Sequence, residues 1–162
     1  MSSAKKPRIM LRQATIADLD TLVAFCRDAH EESYLSGIPF SEEKAFKLMT
    51  NCVSDEHPNL ISILAEANEK PVGYLCAAAG EYYVGTETLL TTVHVIHVTQ
   101  SIRRSLLGGK VAIRLVRGIK QWSDQIGAEH LLFHITSDIR PAQSDRFMRK
   151  MGFRTLGGNY AK

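Results

Sequence analysis

A chain of 162 residues with 44% apolar and 23% charged residues has the size and balance of one globular domain, able to bury roughly two-thirds of its unfolded surface but not to build a second core. Its net charge of +3 falls short of a strong nucleic-acid footprint, and no apolar run nears the about 18 residues of a membrane span. Three cysteines, Cys26, Cys52 and Cys76, fit neither a metal spacing nor an even disulfide set and read as buried thiols, which with a polar N-terminus predicts a reducing cytoplasm and no metal site.

Residues 1–7 read as a disordered lead-in and 8–13 as a short strand. Thr15 followed by Asp18 is a helix-start signal of the capping-box kind. Leu19, Leu22, Val23, Cys26 and Ala29 share one face of a helix over about 16–34. Ser41 before Glu42-Glu43, with Ala45, Leu48, Met49 and Cys52 at helical spacing, predicts a second helix over 42–53. The runs 60–66 and 72–79 flank turn formers and predict a hairpin. A loop follows over 80–87, whose Tyr82-Tyr83 either pads the core or lines an entrance.

The densest signal is Val93-His94-Val95-Ile96-His97-Val98, the end of a strand over about 89–98, running into Thr99-Gln100-Ser101-Ile102-Arg103-Arg104-Ser105-Leu106-Leu107-Gly108-Gly109-Lys110. A β-branched run that breaks into a basic, glycine-bearing turn and then a helix is the arrangement that receives a pyrophosphate on free backbone N–H groups. The neighbouring Arg103, Arg104, Lys110, Arg114, Arg117 and Lys120 form either an anion-binding patch or a solvated helix face. Val111, Leu115, Ile119, Trp122 and Ile126 trace one buried helical stripe, ended by Gly127. A strand over 129–136, a short helix over 144–151 closed by Gly152, and a last strand over 153–160 complete a mixed α/β order with a central strand–helix–strand crossover.

This block resembles the GCN5-related N-acetyltransferase family, whose signature is Arg or Gln, two residues, Gly, one residue, then Gly or Ala. Arg103 and Gly108 match, and Leu106 stands where the family has its first glycine. Phe147-Met148-Arg149-Lys150-Met151-Gly152-Phe153, the opening 8–19 stretch and Pro71-Val72-Gly73-Tyr74-Leu75 are similar to further family segments in the right order. The resemblance implies one acyl-CoA-binding domain over 8–162, built on a mixed, mostly antiparallel sheet of six or seven strands flanked by about four helices. His134-Ile135-Thr136-Ser137-Asp138-Ile139 with Gly157-Gly158-Asn159-Tyr160 resembles bacteriophage-encoded members, which would place the protein in a host cytoplasm.

The family likeness further implies acetyl-CoA as cosubstrate and a primary amine, on a small molecule or a protein, as acceptor, with no membrane role and a homodimer left open. The pantetheine arm would pair with the backbone of Ile96, His97 and Val98. Arg103, Arg104, Ser105, Leu106, Leu107, Gly108, Gly109 and Lys110 would face the pyrophosphate. The family's usual glutamate base is replaced by Thr92, leaving His94, two residues on along the same strand face, as the candidate base; the competing reading is a hydrogen-bonded histidine of a half-buried strand. By period two, His97 faces the other way. The family's tyrosine acid is replaced by Met148, leaving Tyr160 or Ser144 to protonate the departing thiolate. His134, Glu66 and Glu87 carry less. The departures at Thr92, Leu106 and Met148 point instead to a catalytically silent member acting through protein contacts, and the arginine-rich helix start alternatively to a clamp on a nucleic-acid backbone.

Overall fold

The computed structural model describes residues 7–137, 139–158 and 161–162. Its strands are β1 (Ile9–Gln13), β2 (Leu60–Ala67), β3 (Lys70–Glu81), β4 (Leu89–Val98) and β5 (His130–Phe133), and its helices α1 (Leu19–Glu31), α2 (Glu42–Val53), α3 (Gln100–Arg103), α4 (Leu106–Gln125) and α5 (Pro141–Lys150). The strands lie in the order β1-β2-β3-β4-β5. The first four pair antiparallel and β4 pairs with β5 in parallel, as a strand–helix–strand crossover requires.

Local chemistry explains the joints. Asn68 and Glu69 both carry positive φ, 50° and 66°, so β2 and β3 are joined by a two-residue turn twisted to match the strands. Ahead of α1, a 3-10 turn over Ile16–Asp18 lets the Asp18 carboxylate accept from the Thr15 N–H at 2.8 Å and its hydroxyl at 3.0 Å, the reciprocal half of the predicted cap. Arg12 grips the same carboxylate through two nitrogens at 2.7 and 2.8 Å and also reaches Glu66, tying the first strand, the first helix and β2 together.

Helices cover both faces of the sheet. Val111, Leu115 and Ile119 of α4 are fully buried against Ile61, Ile63, Leu75 and Val93. On the other face, Leu22 and Phe25 of α1 and Met49 and Cys52 of α2 pack on Leu64, Tyr74 and Cys76. The thiols of Cys26, Cys52 and Cys76 are free, and Cys76 is pushed well above the ordinary thiol pKa by its contact with Cys52 and by burial. Among the described residues no helix is long and apolar enough to cross a membrane.

Several elements differ from expectation. The sheet has five strands rather than six or seven, because 153–158 is irregular. Phe153 stacks edge-on against Phe133 at 5.0 Å, and Thr155 is drawn back to α5 by Arg149 and Asp145. Gly157 then turns at φ 140°, and 153–158 form no strand beside β5. That strand is itself four residues long instead of eight. Five helices form rather than about four, since the basic turn contains α3. The first helix ends three residues early, at Glu31, and α5 starts early on Pro141, whose fixed φ suits a first helical position. Tyr82 and Tyr83 do neither job proposed for them. They stack on each other at 4.7 Å, with Tyr83 86% exposed, away from core and cleft alike.

Candidate functional site

The two parallel strands stay together only briefly. Leu90–Val93 pairs with His130–Phe133, and the His134 N–H makes one more bond to the Val93 carbonyl at 3.0 Å. Beyond it the backbones part and leave a cleft of about 460 Å³. Residues 94–98 form one wall and 134–137 the other, with Ala29 and Glu32 at the end of α1, the α3–α4 turn, and Gln143, Ser144, Phe147 and Met148 of α5 closing the sides. A gap between parallel strands at the carboxyl end of a crossover is a recurrent ligand site.

A β-bulge shapes the first wall. Val93 opposes Ala77 and Val95 opposes Cys76, so His94 has no partner on β3. The extra residue shifts the alternation. Val93, Ile96 and Val98 pack toward α4, whereas His97 sits against Phe25 and Tyr74 under α1. Both His94 and His97 line the cleft. His94 is exposed there, its ring centre 6.3 Å from that of His134. Partial burial, and secondarily the charge of His134, lowers its pKa from the ordinary 6.5, so the imidazole is neutral at pH 7 and free to accept a proton.

His97 is 4% exposed, its Nδ1 3.6 Å from Glu32 Oε2, and its Nε2 has no hydrogen-bond partner among the described residues. Desolvation lowers its pKa first, Glu32 acts the other way, and Arg103 lowers it further. Arg103 does not point into open space. Its Nε and Nη2 donate to the Val98 carbonyl at 3.0 and 2.8 Å, while Nη1 and Nη2 meet the two Glu32 oxygens at 2.9 and 2.6 Å.

Ser105 caps α4, accepting the Gly108 N–H on its hydroxyl at 3.3 Å and the Gly109 N–H on its carbonyl at 3.2 Å. Helix geometry leaves the N–H groups of Leu106 and Leu107 without intrahelical acceptors. The Leu106 side chain is 87% exposed, and Leu107 packs on the core beneath α4. The adjacent glycines differ. A Cβ on Gly108 would stand 2.3 Å from the Ile102 carbonyl oxygen, whereas one on Gly109 would meet nothing within 4 Å. Gly108 serves the tight α3–α4 junction, and Gly109 presents bare backbone to the cleft.

Of the residues singled out in the sequence, the cleft gathers His94, Ile96, His97, Val98, Arg103, Arg104, Ser105, Gly108 and Gly109; the side walls leave out Leu106, Leu107 and Lys110. Tyr160 lies outside the described residues. Ser144 and Met148 line the cleft, while Thr92 does not. Sequence reasoning missed Arg140 and Phe147, and it missed that Glu32 is the partner of Arg103. Arg140 stands on the far lip with φ 49°, directly before α5; the Pro141 after it was the available signal. Among the described residues no group of three His, Cys, Asp or Glu side chains is arranged to hold a metal ion.

No family model matches the chain, and no curated protein matches it. Solved structures match at the level of fold. A probable acetyltransferase superimposes with a TM-score of 0.71 at 21% identity, over 94% of this chain and 96% of that one. The aminoglycoside N-acetyltransferase AAC(6')-Iy in complex with CoA gives 0.71 at 15% identity over 99% and 97%. The aminoglycoside 6'-N-acetyltransferase AAC(6')-IG from Acinetobacter haemolyticus gives 0.69 at 19% identity over 94% and 96%. The fold is that of these acetyltransferases.

Proposed function

We propose that this protein is an N-acetyltransferase that moves an acetyl group from acetyl-CoA to the primary amine of an acceptor by direct attack. The observation that carries this reading is the cleft between the separated ends of β4 and β5, which opens directly onto the first turn of α4. A pyrophosphate suits that turn. The helix dipole, the N–H groups left open at its start and the exposed Arg104 favour negative charge, and Gly109 lets a ligand reach the backbone. Arg140 adds positive charge on the opposite lip. The CoA bound to the similarly folded AAC(6')-Iy agrees with this choice of cofactor.

The cofactor supplies an acyl thioester. The chain supplies the rest. The wall at 96–98 offers main-chain groups along the unpaired side of β4, where an extended arm can lie as an added strand and an N–H can hold a developing oxyanion. His94, pushed into the cleft by the bulge and kept neutral, takes the proton that an amine of pKa about 10.4 must lose to become a nucleophile. Ala112, Phe147 and Met148 make the sides apolar and limit water. Ser144 is the hydroxyl at hand for the departing thiolate, with Met148 9% exposed at the place where the family resemblance implies a tyrosine. That Met148 and the absence of a carboxylate at Thr92 favour a second reading, a silent member of the fold working through protein contacts.

Thermal unfolding with acetyl-CoA, CoA and ATP at matched concentrations separates the two. A ligand at about 100 times its Kd stabilises by about 2.7 kcal/mol. Stabilisation by both CoA forms and not by ATP is expected, with Arg104→Glu abolishing it; no response to any ligand selects the silent reading.

A further inference from the structure

Each separated leg of the split sheet is held by the same few residues. On the β4 leg, Glu32 grips Arg103, which in turn holds the carbonyl of Val98 at the strand's last residue. On the β5 leg, the Tyr34 N–H donates to the Thr136 carbonyl at 3.1 Å and Ser33 forms an antiparallel bridge with Ser137. Residues 32–34 thus form a crosspiece between two strands that no longer touch.

We propose that Glu32 and Arg103 are positioning residues that fix the width of the cleft for the pantetheine arm, and that Arg103 is not a ligand of the cofactor's phosphates; this rests on the acetyl-CoA reading above. All three guanidinium nitrogens of Arg103 are already engaged, two of them in a bidentate pair with the carboxylate, the geometry in which arginine is most specific. The Glu32 carboxylate cancels the charge that a phosphate would seek. Both side chains are only 24% exposed, so the pair is screened far less than a surface ion pair. The titratable groups facing Glu32 are Arg103 and His97, and His97 is kept neutral by its burial. Arg104, next along the chain and exposed on the lip of the cleft, is the arginine of this turn left to meet a phosphate.

The two roles separate when the cofactor is compared with its phosphate-free fragment. Acetyl-CoA and acetyl-pantetheine are titrated, by NMR shifts well below the unfolding temperature, into the wild-type protein, Glu32→Gln, Arg103→Gln and the double variant, with Arg104→Gln as the phosphate control. The expected result is that both single variants weaken both ligands by the same factor, about tenfold, that the double variant is no weaker than either single one, and that Arg104→Gln weakens acetyl-CoA alone. Loss of acetyl-CoA but not acetyl-pantetheine binding in Arg103→Gln, or tighter acetyl-CoA binding in Glu32→Gln, overturns the proposal. So do single variants that unfold at lower temperature with both dissociation constants unchanged. Should Arg103→Gln not fold, Arg103→Lys replaces it: positioning requires the fork and predicts the same loss, whereas a phosphate ligand would keep its affinity. Wild-type protein that binds neither ligand refutes the cofactor reading and this proposal with it; the discordant patterns in protein that does bind refute the positioning role alone.

Discussion

Gly108 and Gly109 are neighbours in sequence, both in the first turn of α4, yet alanine should act oppositely at the two. At Gly108 the new Cβ would lie 2.3 Å from the Ile102 carbonyl oxygen, 2.8 Å from the Arg103 Cα and 2.9 Å from the Arg103 carbonyl oxygen. These are backbone atoms, so no rotamer change relieves the clash, and reaching an ordinary contact moves α3 by about 1 Å. Overpacking of that kind costs about 1–3 kcal/mol, and the helix preference of alanine over glycine returns about 1. A net loss of up to about 2 kcal/mol lowers the Tm by up to about 8 °C in a domain of this size. Because Arg103 and Arg104 ride on the displaced turn, acetyl-CoA should also lose most of its stabilising effect. At Gly109 a Cβ meets nothing within 4 Å, so the free protein should gain up to about 1 kcal/mol, while the added methyl blocks close approach of a ligand to the backbone. Differential scanning fluorimetry with and without acetyl-CoA reads both effects. A Gly108→Ala protein that melts above the wild-type temperature refutes the close-packing argument.

His94→Ala should lower kcat by about 10²-fold or more with little change in cofactor affinity; because the His94 pKa is lowered from 6.5, the wild-type rate profile should carry an acidic limb below pH 6.5 that His94→Ala removes, and a limb unmoved in the variant would exclude His94 as its source. Arg12→Ala removes the bidentate partner of Asp18 and should cost about 1–2 kcal/mol at pH 7 in urea unfolding, discounted for the partial exposure of Arg12. The Asp18 pKa is held far below its usual 3.8 in the fold, so this stability is complete above pH 3.8 and fades below it; a gap between wild type and variant that is unchanged at pH 2 would contradict the assignment. His97 is the reverse case in chemistry but not in sign. Its folded pKa lies below 6.5, so the stability of the wild type should decline as the pH falls below 6.5, and His97→Gln should flatten that decline in chemical unfolding between pH 7 and 5.

The legible parts of this fold are those with a short-range cause. The α4 stripe, the Thr15–Asp18 cap, the β2–β3 turn and the Ser41 cap of α2, whose hydroxyl accepts the Lys44 N–H, each depend on residues a few positions apart, and each forms where periodicity and turn chemistry place it. The strand predicted over 153–160 does not form over the described 153–158, for a tertiary reason. The Phe153 ring is taken up by Phe133 and Thr155 is held to α5 by Asp145 and Arg149, and no local pattern in 153–158 encodes that competition.

The same division runs through the site. The run from Val93 to Gly109 was conspicuous because one local design, a strand opening into a basic turn at a helix start, serves one kind of ligand. Its internal roles were not legible, for two reasons. The bulge at His94 breaks the alternation on which every face assignment along β4 depends, and nothing in Val93-His94-Val95 marks it. Arg103 finds its partner 71 residues away, so a residue that reads as a free cation within the motif is already neutralised by a carboxylate at the end of α1 that no local pattern ties to it. Sequence proximity identifies which residues can be brought to an anion. Which of them keeps its charge available is decided by the crosspiece at 32–34, and that is why Arg104, the less distinguished of the two arginines in the sequence, is the one on which cofactor affinity should depend.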